Sequence, residues 1–195
     1  LTATALLVKA LQELGATVIP YLPDRTDEGH GLNSMAVGAL RGQGISLMIT
    51  VDCGSSDVEE IELASALGID TIVTDHHVLA EHRPPAIALV NPSRKNSRYP
   101  YEDLTGAGLA YKLVEALWRR LGKGSPEHLM ELAAIGTVAD VGPLHGENRY
   151  LVKRGVERLN RTKNPGLRAL IARAGLKLGQ LDSESLSFSL IPRLN

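Results

Sequence analysis

The sequence predicts an α/β fold: a mostly parallel sheet flanked by helices and followed by a helical region. Three observations carry that reading. Two apolar runs, GISLMITVD (44–52) and IDTIVTD (69–75), are continuous rather than alternating, as in strands covered on both faces. A helix-length segment lies between them, which fits a right-handed crossover joining parallel strands. Beyond residue 105 the pattern turns helical, with no strand of comparable strength.

The elements follow in chain order. Leu6, Leu7, Ala10, Leu11 and Leu14 recur at three- and four-residue spacing, predicting an amphipathic helix that ends at Gly15. TVIPY (17–21) reads as a strand and PDRTDEGHGLN (23–33) as a polar loop. A short helix is expected over 34–41, then the strand 44–52. Ser56-x-x-Glu59 is a capping-box pattern opening a helix through Leu67. Gly68 stops it before the strand 69–75, and AIALV (86–90) supplies a further short strand. Helices are expected at 106–121, about 127–139, 147–160 and 165–174, with another near 183–190. This divides the chain into an α/β part, 1–105, and a helical part of the same domain, 106–195.

Composition sets the outer bounds. The chain has 195 residues, 44% of them hydrophobic, which is enough for a real core and argues against disorder. Aromatics are 4%, so Leu, Ala, Val and Ile must build that core. Twenty-one Lys and Arg stand against 22 Asp and Glu, a formal net charge of −1. That balance argues against a polybasic coat but leaves room for a local phosphate-binding groove. No run approaches the roughly 20 apolar residues of a membrane span, so no membrane partner is expected. The single cysteine, Cys53, cannot form an internal disulfide, and a cytoplasmic location is expected. Both ends read as cuts: the chain opens without Met at helical period and closes on IPRLN.

Ligands of an open parallel sheet gather at the carboxyl ends of its strands. Asp52 ends the first strong strand, and Asp75, His76 and His77 follow the second. If those strands are neighbours, about 5 Å apart, the four side chains share one cavity. Carboxylates and imidazoles suit Mg²⁺, Mn²⁺, Zn²⁺ or Fe²⁺. A helix cap explains Asp52 equally well on residues alone. Asp140, in AAIGTVADVGPL (133–144), falls at a helix C-terminus, where a carboxylate opposes the dipole unless a cation balances it. The helix after Ser56 offers free N–H groups as a phosphate contact. Arg94/Lys95/Arg98, Arg119/Arg120/Lys123 and Lys153/Arg154/Arg158/Arg161/Lys163 form basic clusters, most simply solvated faces. The loop 93–101 interleaves charge with Tyr99 and Tyr101, as single-strand platforms do.

VDCG (51–54), TDHH (74–77), VNP (90–92), LTGAGLAYKL (104–113) and GTVADVGPL (136–144), in this order and spacing, resemble the DHH phosphoesterase family. PDRTDEGHGLN (23–33) and IPRLN (191–195) fit as well, and the likeness is greatest to its RecJ branch of 5′-to-3′ single-stranded-DNA exonucleases. The resemblance implies a DHH phosphoesterase core that hydrolyses phosphodiesters with two Mn²⁺ or Mg²⁺ ions, acting on single-stranded DNA in recombination and repair. It implies Asp52, His76 and Asp140 as metal ligands, with Asp75 and His77 completing the catalytic set. Asp75 and His77 would orient His76, His77 and Arg193 would contact the phosphate or the DNA, and Asn91 would either join them or steady the loop beside the site. Replication or repair proteins are the expected protein partners.

Two departures from the family pattern temper this. The first family motif, of type DxDGxTA, is matched only by its tail at Leu1-Thr2-Ala3, and the 195 residues are expected to stop short of the second, DHHA1-like domain towards which the family continues. A chain so bounded is expected to bind metal weakly and to hydrolyse DNA poorly or not at all. Two other readings stand beside the exonuclease: another DHH oligonucleotide phosphodiesterase, and a non-catalytic DHH domain binding nucleic acid or replication proteins.

Overall fold

The computed structural model describes residues 1–24 and 31–194. Helix α1 (Thr2–Glu13) leads to α2 (Ser34–Gly42), strand β1 (Leu47–Val51), helix α3 (Val58–Ala66) and strand β2 (Asp70–Thr74). Strand β3 (Ala88–Val90) closes the sheet-forming part. Helices α4 (Gly106–Arg120), α5 (Met130–Ala139), α6 (Gly146–Leu159) and α7 (Pro165–Arg173) then follow. The chain ends in short helical turns over Ser183–Ser185, Leu186–Leu190 and Ile191–Arg193.

Among the described residues the sheet has three strands in the order β1-β2-β3, and both pairings are parallel. Val51 lies opposite Thr74, and Thr74 opposite Val90, so all three carboxyl ends finish on one edge. Side chains of alternate residues face opposite sides of a strand. Met48 of β1 packs with Val37, Leu40 and Ala64 of α2 and α3, while Ile49 and Val51 lie against the core around α4. Coverage on both faces explains why these strands read as continuous apolar runs.

The helical part is built around α5. Its small residues let neighbours approach closely: a Cβ on Gly136 would stand 2.3 Å from the Cβ of Ala107 in α4. One on Gly155 of α6 would stand 2.3 Å from the Cβ of Ala134. Leu6, Ala10, Tyr111, Trp118, Leu129 and Ala133 fill the core shared by α1, α4 and α5. Tyr99 and Tyr101, expected on a stacking platform, pack against that core instead. Their hydroxyls bond Glu147 Oε2 at 2.5 Å and the His145 carbonyl at 2.9 Å, which ties the loop to α6.

Two sequence expectations are corrected here. Residues 17–21 form no strand: Thr17, Ile19 and Pro20 are exposed, and the sheet offers them no partner. Pro20 also lacks the N–H a ladder needs. The capping box at Ser56 does not form; Asp57 is the N-cap of α3, and its carboxylate accepts from the Leu32 N–H at 3.1 Å rather than from its own helix. Residues 25–30, most of the polar loop expected over 23–33, lie outside the described residues, as does Asn195.

Candidate metal centre

The site forms where β1 and β2 end beside the facing termini of α4 and α5. Asp52 follows β1 in the left-handed region, at φ 66°, where Asp is one of the few side-chain-bearing residues tolerated. Its N–H continues the ladder to the Thr74 carbonyl at 2.9 Å. Thr74 Oγ1 donates to the Thr50 carbonyl and Thr50 Oγ1 to that of Cys53, at 2.6 and 2.7 Å, so the turn after Asp52 is fastened from both strands. Gly54, at φ 109°, completes that turn under Val73, whose methyl a Cβ would meet at 2.9 Å.

His76 carries its imidazole into the gap. Its Nε2 lies 3.1 Å from Asp52 Oδ1 and 3.6 Å from Asp140 Oδ2. That nitrogen is buried, yet no hydrogen-bond partner aligns with it. The close Asp52 carboxylate raises the His76 pKa above the ordinary imidazole value; burial opposes the rise, and Asp140 adds to it. Asp140 is pushed up from its ordinary carboxylate value by burial and by the like charge of Asp52, with His76 pulling the other way. A buried imidazole nitrogen facing two carboxylates is a donor set short of a cation, and a divalent metal fits it.

Asp52, His76 and His77 each bring a ligand atom within 4.8 Å of the others, and Asp140 joins through His76. His77 therefore belongs to the convergent set, whereas the resemblance places it beside the phosphate. Asp75 is the fastener. It is 1% exposed, and its Oδ1 takes the His77 ring at Nδ1 (2.7 Å) and the N–H groups of His76 (2.8 Å) and His77 (3.2 Å). Oδ2 takes the Ser55 N–H at 2.9 Å. Burial alone would raise this carboxyl, but the bonds from Ser55 and His77 outweigh it and hold Asp75 below the ordinary carboxylate range. Asp75 thus sets the His77 ring directly and reaches His76 only through the backbone. With Nδ1 engaged, His77 keeps Nε2 for a ligand, and its side chain is 58% exposed.

Asn91 is 3% exposed and its amide is fully used: Nδ2 donates to Ser55 Oγ and the His77 carbonyl, and Oδ1 accepts from Ser93. It pins the two strand-end loops together. Arg193 is exposed on the last turn, and its guanidinium donates to the Ser189 carbonyl. Cys53, beside Asp52, has its thiol pushed up to about 12 by burial and then by Asp57, Asp75 and Asp52.

Gly106 went unread in the sequence. A Cβ there would stand 2.0 Å from Asp52 Oδ1, 2.4 Å from its Cγ and 2.7 Å from its Cβ. The N-terminus of α4 therefore lies against Asp52, and its positive dipole end faces a carboxylate. Thr105 caps α4 by accepting from the Gly108 N–H and also meets Thr137 Oγ1 at 3.0 Å, which ties the start of α4 to the end of α5. The signal in the sequence was Thr followed by Gly-Ala-Gly, a cap before residues too small to keep a neighbour away.

The model of the DHH family's N-terminal domain matches residues 1–137. The chain belongs to the DHH family. Along its whole length it is 44% identical to the single-stranded-DNA-specific exonuclease RecJ of Bacillus subtilis (strain 168) and 39% identical to that of Escherichia coli (strain K12). It spans 24% and 36% of the lengths of those relatives. A solved exonuclease RecJ bound to manganese superposes with a TM-score of 0.90 at 39% identity, over all of this chain and 49% of that one. RecJ from Thermus thermophilus in complex with Mn²⁺ gives 0.82 at 36% identity, over 98% of this chain and 27% of that one. The RecJ-like DHH core read from the sequence is the fold observed. No helix among the described residues is long and apolar enough to cross a membrane.

Proposed function

We propose that this chain carries the metal centre of a phosphodiesterase and that the whole protein is a 5′-to-3′ single-stranded-DNA exonuclease of recombination and repair. The observation that carries the reading is the buried His76 Nε2 facing Asp52 and Asp140 without an aligned partner, in a chain similar to manganese-bound nucleases. Asp52, His76, His77 and Asp140 would hold Mn²⁺ or Mg²⁺, with two ions in the whole protein. Such ions, when bound, lower the pKa of water and absorb charge on a phosphoryl group in flight.

The chain's own residues do the positioning. Asp52 is held by the β1 turn and by the α4 N-terminus, so its carboxylate has little freedom to swing away. Asp75 fixes the tautomer of His77 by taking Nδ1–H, which leaves the Nε2 lone pair directed outward to hold a cation or to accept from the attacking water. Thr105 and Thr137 keep the end of α5, and with it Asp140, in register with α4.

The test uses a 5′-labelled single-stranded oligonucleotide with Mn²⁺, on the 195-residue chain and on a protein carrying its natural flanking sequence. The chain alone is expected to be slow, well below the order of 1 per second. With its flanks it releases labelled mononucleotide first. Both activities should disappear in EDTA and in His76→Ala. Hydrolysis that survives EDTA, or a flanked protein that binds the oligonucleotide without cutting it in Mn²⁺, overturns the reading.

A further inference from the structure

A second cavity, of about 800 Å³, lies between α1, α5, α6 and the loop before α7. Glu131 in the first turn of α5 lines it, while Asp140 caps the other end of that helix. At 1.5 Å per residue the two carboxylates stand about 13 Å apart along the helix axis, so the cavity is separate from the metal centre. Five cationic side chains line it against two carboxylates. Arg154 and Arg158 are engaged by Glu157 and Glu127 at 2.7 and 2.9 Å, and His128 by Glu13 at 2.9 Å. Lys9, Arg161 and Lys163 have no ion pair among the described residues.

Glu131 is the unusual member. It is 7% exposed, lines the cavity, and its carboxylate meets neither a hydrogen-bond donor nor a cation among the described residues. Its carboxylate opens onto the cavity, and the group accepts hydrogen bonds only. The cavity therefore asks for two things of one ligand. It must carry anionic charge for Lys9, Arg161 and Lys163, and N–H donors for Glu131. A carboxylate accepts from the exocyclic amine of a base, and arginine and lysine take a phosphate. The N-terminus of α7 adds nothing, since Asn164 Oδ1 already takes the Gly166 and Leu167 N–H groups.

We propose that this cavity is a nucleotide site, with phosphate held by Lys9, Arg161 and Lys163 and an amino-bearing base held by Glu131. It does not depend on the metal centre. Its ligand is either a free nucleotide or one unit of a single strand, and the two share this chemistry.

Calorimetric titration of the 195-residue chain in EDTA, with the metal centre silent, tests it. The probes are dGMP, dCMP, dTMP, inorganic phosphate and the tetranucleotide of dC. Saturable binding of dGMP or dCMP is expected, with dTMP and phosphate weaker by tenfold or more. Arg161→Ala with Lys163→Ala, both exposed positions, should weaken every probe at least tenfold. Glu131→Gln should erase the preference over dTMP while leaving phosphate binding in place. Tighter binding of the tetranucleotide than of dCMP assigns the site to a strand, and equal binding to free nucleotide; either supports the site. No saturable binding of any probe at millimolar concentration, or binding indifferent to the Arg161/Lys163 double variant, overturns it. So does a Glu131→Gln protein that stays folded by circular dichroism and keeps its base preference.

Discussion

Gly106 and Asp52 are in contact so close that no side chain fits between them: a Cβ at Gly106 would overlap Asp52 Oδ1 at 2.0 Å and its Cβ at 2.7 Å. Rotating the carboxylate cannot relieve the second overlap, because the Asp52 Cβ moves only with the backbone. Gly106→Ala is therefore expected to shift the β1 turn against α4, costing about 1–3 kcal/mol of stability as overpacking does. Mn²⁺ affinity should fall at least tenfold, or about 1.4 kcal/mol. Gly38→Ala in α2, where an added Cβ meets nothing within 4 Å, is the control. It should stabilise by about 0.5–1 kcal/mol through helix propensity. Urea melts and a Mn²⁺ titration of the two variants separate the effects.

Asp75 predicts an acid-sensitive site. Its folded pKa is depressed, so the stability it contributes is fully present above the unfolded carboxylate value, about 3.9, and is lost as pH falls through the lower folded value. Asp75→Asn should be destabilised at pH 7 and should show a flatter stability profile between roughly pH 5 and 2 than the parent chain. Equal slopes for the two proteins, measured by denaturant unfolding across that range, would remove Asp75 from this role.

Cys53 is expected to be inert. With its pKa near 12, the thiolate fraction at pH 8 is very small, and burial limits access as well. Iodoacetamide at pH 8 should label the folded chain far more slowly than the urea-unfolded chain. Comparable rates would show the thiol to be open.

Val141 stands at φ 55°, a left-handed conformation that is strained for a β-branched residue, and it is 88% exposed. It follows Asp140 at the end of α5, where glycine is the usual occupant. Val141→Gly should raise stability by about 0.5–1 kcal/mol: the relief of left-handed strain exceeds the extra chain entropy of glycine. Thermal and urea melts check the sign.

Much of this was legible in the sequence, for identifiable reasons. The strands around 44–52 and 69–75 announced themselves because both faces are covered, and Asp52 with Asp75, His76 and His77 stood out because parallel neighbours bring their ends together. TVIPY misled because β-rich composition describes a half-buried surface, and no strand lies beside it to make one. Ser56 misled because the competing contact is long-range: Asp57 caps α3 while its carboxylate bonds Leu32, twenty-five residues away. For Asn91 the sequence left loop support and substrate contact open, and the fold shows its amide bonded to Ser55, His77 and Ser93. Gly106 escaped notice because its meaning lies in what it touches. Nothing local to Thr-Gly-Ala-Gly names Asp52 as the neighbour.

The proposed metal centre depends most directly on His76 Nε2 as a cation ligand. Isothermal titration of Mn²⁺ into the 195-residue chain and into His76→Ala, at pH 7.5 with both proteins shown folded by circular dichroism, tests it. Saturable binding by the parent, weakened tenfold or more by His76→Ala and likewise by Asp52→Asn, is the predicted result. Saturable Mn²⁺ binding that is unchanged in both variants, or no saturable binding by the parent chain, would contradict it.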